Sequence, residues 1–116
     1  MSQHDDMETK KIFDLDRRTF RFAVNVRGFI AMLHKSLLNL DDAKQLLRSS
    51  GSVGANYIEA NEALSKKDFL MRIKICRKEA KESSFWLNLI DTTADSKQED
   101  LRTQLIQESI ELTKIF

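Results

Sequence analysis

Residues 48–63 read RSSGSVGANYIEANEA, and the way this stretch is understood decides the fold. It holds Gly51 and Gly54, two of the chain's three glycines. A phosphate-gripping loop needs G-x-x-x-x-G-K-[ST], with glycines that let backbone amides converge and then a lysine and a hydroxyl. In this stretch Ala55 and Asn56 follow the second glycine, no lysine is present and no strand pattern leads in. The competing reading is a helix made thin on one side. Ala43, Leu46, Leu47, Ser50, Val53, Gly54, Tyr57, Ile58 and Asn61 keep helical spacing straight through both glycines. Each mid-helix glycine costs roughly 0.8–1 kcal/mol relative to alanine. Close packing offsets that cost: Ser50, Gly54 and Ala55 present a shallow surface, so a neighbouring axis can approach nearer than the usual ~8–10 Å.

Outward from this helix, expected over about 42–64, the same period recurs. Helix 1 is expected over about 14–38, after an unpatterned, flexible arm at 1–13. Its main stripe is Leu15, Phe22, Val26, Phe29 and Leu33, and a second stripe, Phe20, Val24, Ala31 and Leu38, lies nearly opposite. Asn39 or Asp41 suits the cap between helices 1 and 2. Ser65, with Asp68 three residues on, opens helix 3 over about 66–91. There Phe69, Ile73, Cys76, Ala80, Ser83, Leu87 and Ile90 alternate steps of four and three, a bundle seam. Ser96 with Glu99 forms a capping box for helix 4, about 97–116, with Leu101, Leu105, Leu112 and Ile115 inward. The chain has no proline, so sheet and hairpin punctuation is missing. These features predict an all-α chain, an antiparallel up-down-up-down four-helix bundle, in one domain of 116 residues.

The composition, 41% apolar and 32% charged, is that of a globular chain. With Cys76 as its single cysteine, no N-terminal apolar run and no membrane-length apolar stretch, it reads as a cytoplasmic protein without a membrane partner. The net charge of +1 hides an uneven distribution. Residues 10–27 carry a net +4, through Arg17, Arg18 and Arg21 among others. Residues 66–81 carry a net +5, through Lys66, Lys67, Arg72, Lys74, Arg77, Lys78 and Lys81. Residues 91–116 carry a net −3. The two basic segments form either one positive face for nucleic acid or a pair of ordinary solvated helix surfaces.

The order and spacing of Arg48, Ser49, Ser52, Val53, Ala55, Asn56 and Glu59, then Ser65, Asp68 and Phe69, then Arg77 and Glu82, resemble the bacterial four-helix bundle proteins. That family is also called the ribosomal-RNA intervening-sequence (S23) family and includes the accessory variability determinants of diversity-generating retroelements. The resemblance covers about residues 14–92 well and helix 4 loosely. It implies an antiparallel bundle that assembles as a ring, commonly a pentamer. Some members are encoded within intervening sequences of large-subunit ribosomal RNA genes. The retroelement members are basic, bind nucleic acid and partner a reverse transcriptase. The near-zero net charge of this chain departs from that type. Within the motif, Asn56 and Glu59 are placed to hydrogen-bond across the bundle, to Arg48 or Arg77 for example, or else to face water.

Helix 3 carries a second apolar stripe, Met71, Ile75, Phe85 and Leu89 with Trp86 beside it, about 200° from its core seam. One core cannot use both faces of a helix, so this stripe and Phe20 and Val24 on helix 1 are expected at a homo-oligomer interface. Lys78 and Glu82, four apart within the stripe, suit an ion pair. His4, His34 and Cys76 offer no zinc set and no Glu-x-x-His pattern for a di-iron site, and Cys76 reads as a small core residue. No metal, cofactor or catalytic residue is expected, and the chain is not expected to be an enzyme. Two function classes follow. One is a nucleic-acid-associated bundle using its basic face on RNA or DNA. The other is a scaffold that works through ring assembly and a protein partner, a reverse transcriptase or another protein, without nucleic acid.

Overall fold

The computed structural model describes the backbone from residue 3 and the side chains from residue 15. Four helices follow one another: α1 (Gln3–Met32), α2 (Leu37–Asn61), α3 (Lys66–Leu89) and α4 (Ser96–Ile115). Each packs on two neighbours. α1 lies against α2 and α4, and α3 lies against the same two, so α1 and α3 sit on one diagonal and α2 and α4 on the other. Short connections between consecutive helices make the arrangement an up-down-up-down four-helix bundle.

Several boundaries differ from those the sequence suggests. From Gln3 on, the expected arm is the first turns of α1, and residues 1 and 2 lie outside the described residues. Helix 1 ends at Met32 rather than Leu38 because Ser36, not Asn39 or Asp41, caps α2: its hydroxyl accepts the Asn39 N–H at 3.1 Å. Leu38 therefore belongs to α2. Ser65 caps α3 as expected, accepting from the Asp68 N–H at 3.1 Å. α4 is capped by Asp95 rather than Ser96, through the Gln98 N–H at 2.9 Å.

The core is built from the expected stripes: Phe22, Val26 and Phe29 of α1, Leu46 and Val53 of α2, Ala80 and Leu87 of α3, and Leu105 and Leu112 of α4. Cys76 and Ser83 are buried on the α3 seam, but Phe69 is exposed and Ile73 half-buried at its N-terminal end. Ile58, Asn61 and Ile115, read as inward-facing, are exposed. Ser109 takes an inward place on α4, its Oγ bonded to Ser84 Oγ of α3.

Gly54 meets α1 closely. A Cβ there would lie 3.1 Å from Thr19 Oγ1, which itself donates to the Leu15 and Asp16 carbonyls. The thin side of α2 is thus used at Gly54. A Cβ at Gly51 would meet nothing within 4 Å. On the other flank of α2, Ser49 and Ser83 share a hydrogen bond at 2.9 Å in the buried α2–α3 seam, and Cys76 Sγ donates to the Val53 carbonyl at 3.4 Å.

One end of the bundle is tied by Asn39, which is buried. Its Nδ2 donates to the His34 and Asp91 carbonyls at 3.0 and 2.8 Å, and its Oδ1 accepts the Asp91 N–H at 3.0 Å. The loop before α2 and the turn after α3 are joined by this one side chain. The turn itself passes through left-handed backbone at Thr93 and Ala94, φ 55° and 60°, conformations that cost a non-glycine residue about 1 kcal/mol or more each.

Candidate functional site

The cations gathered from the sequence do not form one face. Lys74, Arg77, Lys78 and Lys81 line a groove of about 720 Å³ between α3 and α4, joined by Lys114 and by Thr113 and Phe116. No acidic side chain lines it. The periodicity of α3 places its four cations on the α4 flank at successive turns. Lys114 escapes a reading of the basic segments because it lies in the acidic C-terminal one. Part of this clustering suits the bundle itself, since cations near the last turn of α4 face the negative end of its dipole. Phe116 is half-buried and its ring lies 5.7 Å from Tyr57, so it is engaged within the protomer.

Arg17, Arg18 and Arg21 line a different groove, about 960 Å³, between α1 and α4. Arg18 is committed there: its Nε and Nη2 each donate to one oxygen of Glu108 at 2.8 Å. Lys66 and Lys67 are exposed at the start of α3. Arg72 is half-buried and donates to Asn56 Oδ1 at 3.0 Å.

The residues of the family motif form a polar strip along the α2–α3 seam. Asn56 Nδ2 donates to the Ser52 carbonyl and hydroxyl at 2.9 and 2.8 Å, so with Arg72 its amide is satisfied at both ends. Arg72 thus takes the place expected of Arg48 or Arg77, and Glu59 faces solvent. Two helical turns further, Arg48 bonds Glu82 at 2.9 Å and both oxygens of Glu79 at 3.3 and 3.4 Å. Glu79 is buried, and its closest lysine, Lys78, stands 4.0 Å away. The expected Lys78–Glu82 pair is absent because Glu82 turns to Arg48 instead. Burial, and then the neighbouring Glu82 carboxyl, push Glu79 above the usual glutamate range, while hydrogen bonds to Glu82 and Glu79 raise the Arg48 guanidinium further.

One more group had no sequence signal. Arg102 of α4 closes the C-terminus of α3, donating to the carbonyls of Leu87 (3.1 Å) and Ile90 and pairing with Glu99 and Thr92. Arg102 and Thr92 together lower the Glu99 carboxyl, so Glu99 serves this cluster rather than a capping box. Cys76 is buried and its thiol is pushed up to about 11 by desolvation, which suits a protonated core residue. Among the described residues no three His, Cys, Asp or Glu side chains converge as metal ligands. No described helix is long and apolar enough to cross a membrane.

The residues expected at an interface divide. Phe20, Val24, Met71, Phe85 and Leu89 are exposed, with Phe20 72% and Phe85 57% accessible. Ile75 is half-buried. Trp86 is half-buried and packs against the core, its ring edge-on to Phe85 at 5.0 Å.

Fold and motif strip together define a four-helix bundle with a built polar seam and several uncovered surfaces. The family model described as 23S rRNA-intervening sequence protein matches residues 13–116, and the chain belongs to that family. It is also similar to a crystal structure of a protein of unknown function from the S23 ribosomal protein family of Bacteroides thetaiotaomicron. The two share 30% identity with a TM-score of 0.72, over 87% of this chain and 93% of the other. No curated protein matches the chain.

Proposed function

We propose that this protein is a non-enzymatic, cytoplasmic bundle that self-assembles into a ring, a pentamer by the family resemblance, and binds the phosphate backbone of RNA or DNA. The observation that carries the reading is the α3–α4 groove, where five cations converge without an acidic side chain among them. Such a groove holds phosphates as point charges. With the Phe116 ring turned to Tyr57, it offers no free aromatic platform for bases, so binding is sequence-tolerant.

Counterion release sets the expected numbers. Five phosphate contacts per protomer give a log–log salt slope of about −3.5 on single strands and about −4.5 on duplex DNA. Fluorescence anisotropy with a short labelled RNA and a duplex DNA, from low to physiological salt, measures both. Charge reversal at Lys74 and Lys78 should weaken binding on every sequence and flatten the slope by about two contacts. Absence of binding at low salt, on protein sized by light scattering, overturns the reading. It would favour the second one, a scaffold that recruits a protein partner, a reverse transcriptase being the type the resemblance implies. Specific support for the scaffold comes from the α1 arginines, since Arg18 is already held by Glu108.

A further inference from the structure

The α1–α4 groove is bridged at its two ends and open between them. At one end Arg18 donates to both oxygens of Glu108 at 2.8 Å. At the other, Gln98 Nε2 donates to the Met32 carbonyl at 3.0 Å. The space between is about 960 Å³, at the upper end of the range of small-molecule sites, about 300–1,000 Å³. From Arg18 to Met32 a helix rises about 21 Å, so the groove is elongated.

Its chemistry changes along its length. Arg17, Arg21, Gly28 and Met32 fall within about 60° of one another around the α1 axis and form one strip. Arg17 and Arg21 are exposed and one turn apart. Among the described residues Glu108 is the one acid lining the groove, and Arg18 holds it. Arg17 also borders the α1–α2 groove beside Asp16, so Arg21 carries the larger share of the charge on this side. Toward Met32 the walls turn aliphatic. Leu101 and Leu105 line the groove from α4, and Val24 of α1 stays 47% accessible. A Cβ at Gly28 would meet nothing within 4 Å, so its missing side chain leaves the groove floor open. Phe22 and Phe29 are each 1% accessible and offer no ring face on which a base could stack.

We propose that this groove binds a single-chain amphiphile with an anionic head, a fatty-acid carboxylate. The head sits between Arg17 and Arg21, whose guanidinium forks match a carboxylate. The chain runs over Gly28 toward Met32 and Leu101. The site lies on the other flank of α4 from the phosphate groove, and it depends on neither self-assembly nor nucleic-acid binding.

Fluorescence titration with dansyl-labelled undecanoate, kept below its micelle threshold, tests this on the full chain. Decanoate should displace the probe, decanol should do so at least about tenfold less well, and each methylene added to the carboxylate should improve displacement by up to about fourfold. Arg17→Gln with Arg21→Gln should weaken decanoate by about tenfold or more and leave decanol unchanged. Gly28→Leu fills the floor and should weaken both, while its gain in helix propensity protects the fold, which circular dichroism checks. A probe that does not bind, decanol competing as well as decanoate, or a Gly28→Leu variant with unchanged affinity overturns the site. Probe binding that fades as protein concentration and particle size rise together would give the groove to a second copy and overturns it equally.

Discussion

The α2–α3 and α1–α4 seams are each bridged by an arginine that reaches both oxygens of a glutamate across the helices, yet the two bridges stand in different surroundings. At α2–α3 the acceptor Glu79 is 5% accessible and is flanked by the buried Ser49–Ser83 hydrogen bond and the Cys76 thiol on the Val53 carbonyl. At α1–α4 the Arg18–Glu108 pair is part-exposed, with a wide groove beside it. The first seam is closed by small polar residues that let the axes approach. The second is spanned by long side chains over open space. Identical pair chemistry should therefore yield unequal stability, and the bundle should be stiff on one flank and adaptable on the other.

The largest effect expected from this contrast is at Arg48. Arg48→Ala leaves the buried Glu79 with only the more distant Lys78, 4.0 Å away, and should cost about 2–3 kcal/mol near neutral pH, read by urea unfolding. The pH dependence carries a definite sign. A carboxyl whose folded-state value lies above the ordinary 4.5 binds its proton more tightly in the folded chain. Its contribution favours folding below 4.5 and is lost as pH rises through the folded value. The variant, with Glu79 raised further, should fall in stability more steeply above 4.5 than wild type does. Equal slopes would mean that Glu79 is not the group left exposed to desolvation.

Next is packing. Ser83→Leu places a branched side chain in the closed seam and should cost about 1–3 kcal/mol. Gln104→Leu, in the open α1–α4 groove, should change stability by no more than about 0.5 kcal/mol. Similar losses at both sites would erase the distinction between the seams. Smaller again, Arg18→Ala should cost less than about 1 kcal/mol, since its pair is part-exposed and screened. A loss as large as that of Arg48→Ala would show the second seam to be as tightly held as the first.

The smallest effect separates the two glycines of α2. Gly51→Ala gains helix propensity with nothing to strike and should raise stability by about 0.5–1 kcal/mol. Gly54→Ala must push back the Thr19 side chain, 3.1 Å from the new Cβ, and should fall short of the Gly51→Ala gain. Paired thermal melts measure the difference directly.

The helices were legible because their apolar stripes repeat at a period that only a helix satisfies. The middle of the α3 seam, from Cys76 to Leu87, followed from that period alone. Its N-terminal end did not, since Phe69 lies in the first turn, where fewer neighbours cover it. Caps shifted by one to several residues because Ser36 and Asp95 compete with chemically equivalent neighbours for the same amides. The polar partners were the least legible. Arg72 with Asn56, Arg48 with Glu79 and Arg102 with the end of α3 join helices whose relative register no local pattern encodes. Glu79 in particular is written as one more surface charge in a basic segment. The grouping of Lys114 with the α3 cations has the same cause, an adjacency created by the bundle rather than by the chain.

The Asn39 side chain has a consequence for motion. The Asp91 N–H it holds sits in a turn where a backbone amide would ordinarily exchange with solvent in local openings. Asn39 is buried and grips that turn from a helix 52 residues away. Releasing the amide therefore means parting the start of α2 from the end of α3. In hydrogen exchange Asp91 should behave as a core position and open only with the whole bundle, and Asn39→Ala should return it to the fast rates of its neighbours. A single amide in a surface turn would then report the cooperativity of the entire fold.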